Sequence, residues 1–172
     1  SKTYEFHLSI GPFRDPTTWR KCWHASTAAT DKFDFDAVQR ALCVLKGQHN
    51  FAAFRGAPRG KHDKIRQRRE TTICNMQDLR FEARTGGLKP NDCESFVVTV
   101  TGDRFLYKMV RFMVGSLVAI GLGRLSVDDL KDAIRNGTWE SDGKRPQFEC
   151  APPHGLRLKH VEYDTMLDWI VD

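Results

Sequence analysis

Residues 105–123 read FLYKMVRFMVGSLVAIGLG. Leu106, Val110, Met113, Leu117 and Ile120 recur at i, i+4, i+7, i+11 and i+14, the spacing that lays one apolar stripe along an α-helix. Arg111 stands inside it, flanked by Val110 and Phe112, with Tyr107, Val114 and Gly115 one turn away. A guanidinium in such surroundings costs several kcal/mol unless it reaches water or meets an anion. Arg104, Lys108, Arg111 and Gly115 form a second face, where small Gly115 leaves room for another group to approach. Only 12 uncharged residues separate Arg111 from Arg124, against about 20 for a membrane span, so this is a core helix.

Working outward, Tyr4, Phe6, Leu8 and Ile10 alternate with Thr3, Glu5, His7 and Ser9, the period of a half-buried strand that Gly11-Pro12 ends. A short helix is expected within 19–29. FDFDAVQRALCVLKG predicts a firmer one, capped by Asp36 or Asp34, with Val38, Leu42 and Leu45 on one face and Gly47 as its stop. HNFAAFRG follows as a connection. Residues 55–69 carry seven Arg and Lys against Asp63, interrupted by Gly56, Pro58 and Gly60, and read as a mobile basic loop. Residues 71–83 and 95–101 read as strands of a hairpin joined through TGGLKPND. Ser126 and Asp129 form a capping box before VDDLKDAIRNG, closed by Gly137. After the APPHG turn, LRLKHVEYD alternates imperfectly, as a final strand with a bulge would. This order predicts an α+β fold, an antiparallel sheet with helices on one face.

The 172 residues, 40% hydrophobic, suffice for one core or two small ones. A net charge of +5 fits a polyanionic partner. Five cysteines without a C-x-x-C pair point to a reduced, intracellular setting. His24, His49 and His154 have neither metal-ligand spacing nor a triad arrangement, so they read as structural or RNA-contacting. The chain lacks an initiating Met and opens directly in a strand, as a piece of a longer polypeptide does.

FLYKMVRFMVGSL followed by GLGRLS resembles the signature helix of the TruA-type tRNA pseudouridine synthases. KTYEFHL, LKGQHNFAAFR and APPHGLRLKHVEY agree with that family in order and spacing. In the family a catalytic Asp, in a G-R-T-D-x-G-V-H-A motif, pairs with the Arg of M-V-R, which matches Arg111. No segment here resembles that motif, and the resemblance places it in an N-terminal half upstream of Tyr4. It thus implies that residues 1–172 are the C-terminal domain of the ferredoxin/RRM-like synthase fold, inactive alone. It also implies a homodimer, a tRNA substrate modified in the anticodon arm, and no metal or cofactor. Tyr4 matches the residue that stacks on the target base and is a candidate to take the proton from carbon 5. Leu156 matches the Leu that packs on the base from the other side.

Phe54 and Arg55 match a motif near the RNA cleft. Arg59, Lys61 and Arg66, with Arg104 and Lys108, would add phosphate attraction. The family pattern is departed from at Phe6, where a second Tyr is common, at Asp103-Arg104, and in the enlarged basic loop. Asp103, eight residues before Arg111, is expected to cap the signature helix. The rival reading is a non-catalytic ferredoxin-like RNA-binding module, which would carry an RRM-like K/R-G-F/Y pattern not found here.

Overall fold

The alternation around Tyr4 becomes strand β1, Lys2–Gly11, in a computed structural model that describes residues 1–14, 16–28, 32–84, 94–140 and 148–163. Phe6 and Leu8 are fully buried and Ile10 nearly so. One edge of β1 pairs antiparallel along its length with β5, Glu94–Gly102. Its other edge is shared: Lys2 to Phe6 pair antiparallel with β6, Leu156–Val161, and Leu8 to Gly11 pair parallel with β2, Trp23–Ser26. Beyond β5 come β4, Ile73–Ala83, and β3, Gly47–Asn50, so the order is β2–β1–β5–β4–β3.

The sheet is therefore mixed rather than wholly antiparallel, because β2 runs alongside β1. That strand replaces the helix expected within 19–29. Trp23 and Ala25 are buried and alternate with more exposed His24 and Ser26. Trp23 meets Phe6 edge-on, ring centres 6.1 Å apart. A run of four alternating residues carries no helical stripe, and packing on β1 decides its form.

In β4 the buried phase shifts from Cys74 and Met76 to Leu79 and Phe81, because a bulge lies between Met76, opposite Gly102, and Asp78, opposite Thr101. The irregularity expected in β6 is present as a shift between Thr3, opposite His160, and Tyr4, opposite Leu158. The stretch 85–92, read as the hairpin connection, lies outside the described residues.

Helix α1, Phe35–Leu45, starts at Asp34, whose carboxylate accepts from the Ala37 N–H at 2.8 Å. It buries Val38, Ala41, Leu42 and Leu45. Helix α2, Lys61–Arg69, stands where a loop was expected. Its one buried residue is Gln67 and its lone aliphatic, Ile65, is 44% exposed, so no apolar period announces it.

Helix α3, Met109–Gly121, is buried nearly all round, with Arg111 and Phe112 as its half-exposed positions. Helix α4, Val127–Asn136, has the expected capping box: Ser126 N–H donates to Asp129 at 2.9 Å and Asp129 N–H to the Ser126 hydroxyl at 3.0 Å. Gly137, at φ 69°, closes it in the left-handed conformation that glycine adopts freely. The opposite sheet face is polar, carrying the pairs Glu5–Lys159 at 2.6 Å and Asp78–Arg80 at 2.8 Å. No helix among the described residues is long and apolar enough to cross a membrane.

Candidate active site and nucleic-acid interface

Tyr4 lies opposite Leu158 across the β1–β6 ladder, and Phe6 opposite Leu156. Directly opposed residues of an antiparallel pair share a face, so Tyr4, Leu156 and Leu158 stand on the helix side of the sheet, Tyr4 and Leu156 as diagonal neighbours. Deeper along β1 the same face is sealed by core. At this end it is not: Tyr4 and Leu156 are half-buried, and Leu158 is 54% exposed. Phe105 backs Tyr4 edge-on, ring centres 4.9 Å apart at 81°. The result is an apolar ledge with one aromatic ring and one hydroxyl, open to a planar ligand.

Arg111 is joined to this ledge through the segment ahead of β6. Its Nε donates to the Ala151 carbonyl, and the Ala151 N–H donates back to the Arg111 carbonyl at 3.1 Å. Gly115, one turn on, lets the segment through: a Cβ there would lie 1.9 Å from the Glu149 carbonyl oxygen. The room read at Gly115 is therefore occupied by the chain's own backbone. From Ala151 the chain makes a 3₁₀ turn, Pro153–Gly155, and enters β6 at Leu156. A Cβ on Gly155 would lie 2.6 Å from the His7 carbonyl, so this turn sits hard against β1.

Among the described residues no carboxylate pairs with Arg111, whose hydrogen bond to a backbone carbonyl leaves the remaining guanidinium donors uncommitted. Cys150 does not supply the anion, since burial raises its thiol pKa against the opposing pull of Arg111 and Lys108. Asp103 does not either. Its carboxylate accepts from the backbone of Asn75 at 2.8 Å and of Arg104 at 2.7 Å, and caps no helix. The N-cap of α3 is Lys108, in the left-handed region at φ 62°. Arg104, Lys108 and Arg111 consequently do not form one helical face, because Arg104 lies in the β5–α3 connection and only Arg111 lies within the helix.

The residues assigned to RNA divide into buried and exposed. Phe54 is fully buried between Phe51 and Trp139, at 5.6 and 5.1 Å, so it supports the interface from within and offers RNA no surface. Arg55 donates to the Gln67 carbonyl at 2.9 Å, meeting the negative end of α2, and Gln67 Nε2 returns a bond to the Gly56 carbonyl at 3.2 Å. Arg59, Lys61, Arg66 and Arg104 are exposed. Arg59 and Lys108 both lie over Tyr107, at 5.1 and 5.5 Å from the ring centre. Tyr107 thus anchors the segment ahead of the basic helix to the start of α3, a role its place in the sequence does not signal.

Two histidines, His7 in β1 and His24 in β2, set a pH dependence. His7 and His24 are held below the ordinary 6.5, in each case chiefly by burial, with Arg157 adding at His7 and Arg14 at His24. Both folded pKa values lie under the unfolded ones, so the unfolded chain takes up these protons first as pH falls. Stability fully present above about 6.5 is then lost as pH falls toward the folded values. The urea midpoint is expected to hold from pH 8 to 7 and to fall toward pH 5, and His7→Gln/His24→Gln to flatten that decline. A midpoint level across this range in the parent chain would contradict it.

A family model described as tRNA pseudouridine synthase matches residues 41–164. The chain belongs to the tRNA pseudouridine synthase family. It is 36% identical over 163 residues to tRNA pseudouridine synthase A of Methylacidiphilum infernorum, covering 95% of this chain and 54% of that protein. With tRNA pseudouridine synthase A of Streptococcus mutans it shares 32% identity over 163 residues, 95% of this chain and 56% of the relative. With the tRNA pseudouridine synthase-like 1 protein of Xenopus laevis it shares 32% over 172 residues, 95% and 53%. The chain therefore spans about half the length of the curated synthases it matches.

Proposed function

We propose that this chain is the base-binding, aspartate-orienting C-terminal domain of a tRNA pseudouridine synthase. In this reading it acts within the cell as a homodimer on uridines of the anticodon arm. The catalytic carboxylate comes from the N-terminal half of the same protein. The observation that carries the reading is Arg111, half-buried, tied to the Ala151 carbonyl, and without a carboxylate partner among the described residues.

Isomerisation breaks the bond from ribose C1′ to uracil N1, turns the base, joins C1′ to C5, releases the C5 proton to solvent and takes a proton from solvent at N1, so the formula is unchanged. The uridine must be flipped from its stack and held throughout. Tyr4 stacks on the base and its hydroxyl takes the C5 proton, while Leu156 packs on the other side. Arg111 keeps the donated carboxylate ionised and oriented through a charge-assisted, fork-shaped pair. Arg59, Lys61 and Arg66, with Arg104 and Lys108, attract the phosphates, and Phe54 and Arg55 hold that surface in place.

Release of tritium from carbon-5-labelled uridine in tRNA tests the reading. Residues 1–172 alone are expected to release none, and the longer protein bearing the aspartate motif to release it at each turnover. Tyr4→Phe, which keeps the stack and removes the hydroxyl, should slow release more than it weakens tRNA binding. Release by the isolated chain would show that the nucleophile lies within it. A longer protein that binds tRNA without releasing tritium would leave the non-catalytic RNA-binding module.

A further inference from the structure

The connection from β1 to β2 lies apart from the ledge and from the basic helix. It carries Phe13, Arg14, Trp19, Arg20 and Lys21, and Asp15 is the one acid in 12–22. Phe13 is 59% exposed and Trp19 47%. The Trp19 side chain is nonetheless held in place. The Arg20 guanidinium lies 4.7 Å from its ring centre and that of Arg14 5.8 Å, with Arg14 Nη2 also donating to the Trp19 carbonyl at 3.4 Å. The Lys21 N–H closes a turn on the Thr18 carbonyl at 2.8 Å. His154 Nε2 donates to the Cys22 carbonyl at 3.2 Å, which ties the connection to the turn that delivers Leu156.

We infer that Trp19 is a stacking platform for an unpaired RNA base, with Arg14, Arg20 and Lys21 on the neighbouring phosphates. The inference rests on the reading that this chain acts on RNA. An indole face stacks any base, and an arginine lying on it can leave the ring to pair with phosphate as the base arrives. A protein partner with an apolar patch would instead have to bury three cations beside the two aromatic rings, at a cost that an RNA backbone removes. Through His154 the connection that carries Trp19 is tied to the turn that leads into Leu156.

The test measures binding of residues 1–172 to a tRNA transcript, to oligouridylate and to a blunt RNA duplex by fluorescence anisotropy over a range of salt. Trp19→Ala is expected to weaken tRNA and oligouridylate binding by roughly 5- to 100-fold with the salt dependence unchanged, and to spare the duplex. Trp19→Phe should retain most of the affinity. Arg14→Ala/Arg20→Ala should lower the slope of log affinity against log salt by about 1 to 2. Circular dichroism and the urea midpoint, unchanged in each variant, exclude misfolding. Parent-like affinity of Trp19→Ala overturns the inference, as does equal weakening on the duplex. Unchanged RNA affinity with an altered oligomeric state would make the loop a protein interface, again overturning it. Tritium release separates this from the proposed function: release with an unaffected Trp19→Ala removes only the platform, and loss of affinity without release by the longer protein removes only the synthase reading.

Discussion

Gly115→Ala is expected to destabilise the chain by about 3 kcal/mol, read as a lower urea midpoint at unchanged slope. The new Cβ would lie 1.9 Å from the Glu149 carbonyl oxygen and 3.1 Å from its carbon, and both atoms are backbone. Ordinary contact begins near 3.4 Å, so the segment must retreat by more than an ångström. The two bonds between Arg111 and Ala151 lie next to this crossing and are lost or stretched with it, at about 1 kcal/mol each. Alanine's better helix propensity returns about 1 kcal/mol, too little to change the sign.

Two other glycines calibrate the effect. Gly121→Ala meets the Phe33 ring at 2.2 Å, but that is a side chain able to turn, and a smaller loss is expected. A Cβ at Gly60 meets nothing within 4 Å in extended backbone, so Gly60→Ala should stay within about 0.5 kcal/mol of the parent. Equal midpoints for Gly115→Ala and Gly60→Ala would mean that the 149–151 segment does not press on α3.

Arg111→Leu has the largest expected effect on turnover. In the longer protein it should cut tritium release by at least about 100-fold, because a carboxylate without its guanidinium is neither held ionised nor aimed. Stability should change far less. Leucine forfeits the bond to the Ala151 carbonyl and also removes a half-buried cation. Arg111→Lys separates charge from geometry: an ammonium keeps the charge but cannot donate to Ala151 and grip a carboxylate with the same fork, so most of the loss should persist. Parent-level release from Arg111→Leu would sink the assignment of Arg111 to the aspartate, and unfolding of both variants would recast it as a structural anchor for the segment leading to Leu156.

The features that could be read in advance were those set by near neighbours. Asp34, one of the two candidate caps, and the expected Ser126–Asp129 box cap their helices because a cap is satisfied within three residues. The β1 alternation and the α3 stripe were visible because an element with one dominant buried face repeats at its own period. The stray arginine was legible for the same reason: a cation amid Val110, Phe112 and Val114 is anomalous whatever packs on it. Helix α2 was missed because nothing in KHDKIRQRR has an apolar period. What ties it to the rest of the chain is long-range: Arg55 and Gln67 bond across to Gln67 and Gly56, and Arg59, just ahead of the helix, lies over Tyr107.

By itself, the amino-acid order determined the helices that carry caps and stripes, the strand that bears Tyr4, and a guanidinium in need of an anion. Only the tertiary structure decided that β2 runs parallel to β1, that β4 bulges at Gln77, that Phe54 is core, and that Gly115 makes way for backbone. The physical reason is range. Caps and periods are energies of residues a few positions apart, whereas each of these outcomes depends on a contact such as Arg111 with Ala151, 40 positions away, which exists only once the chain has folded.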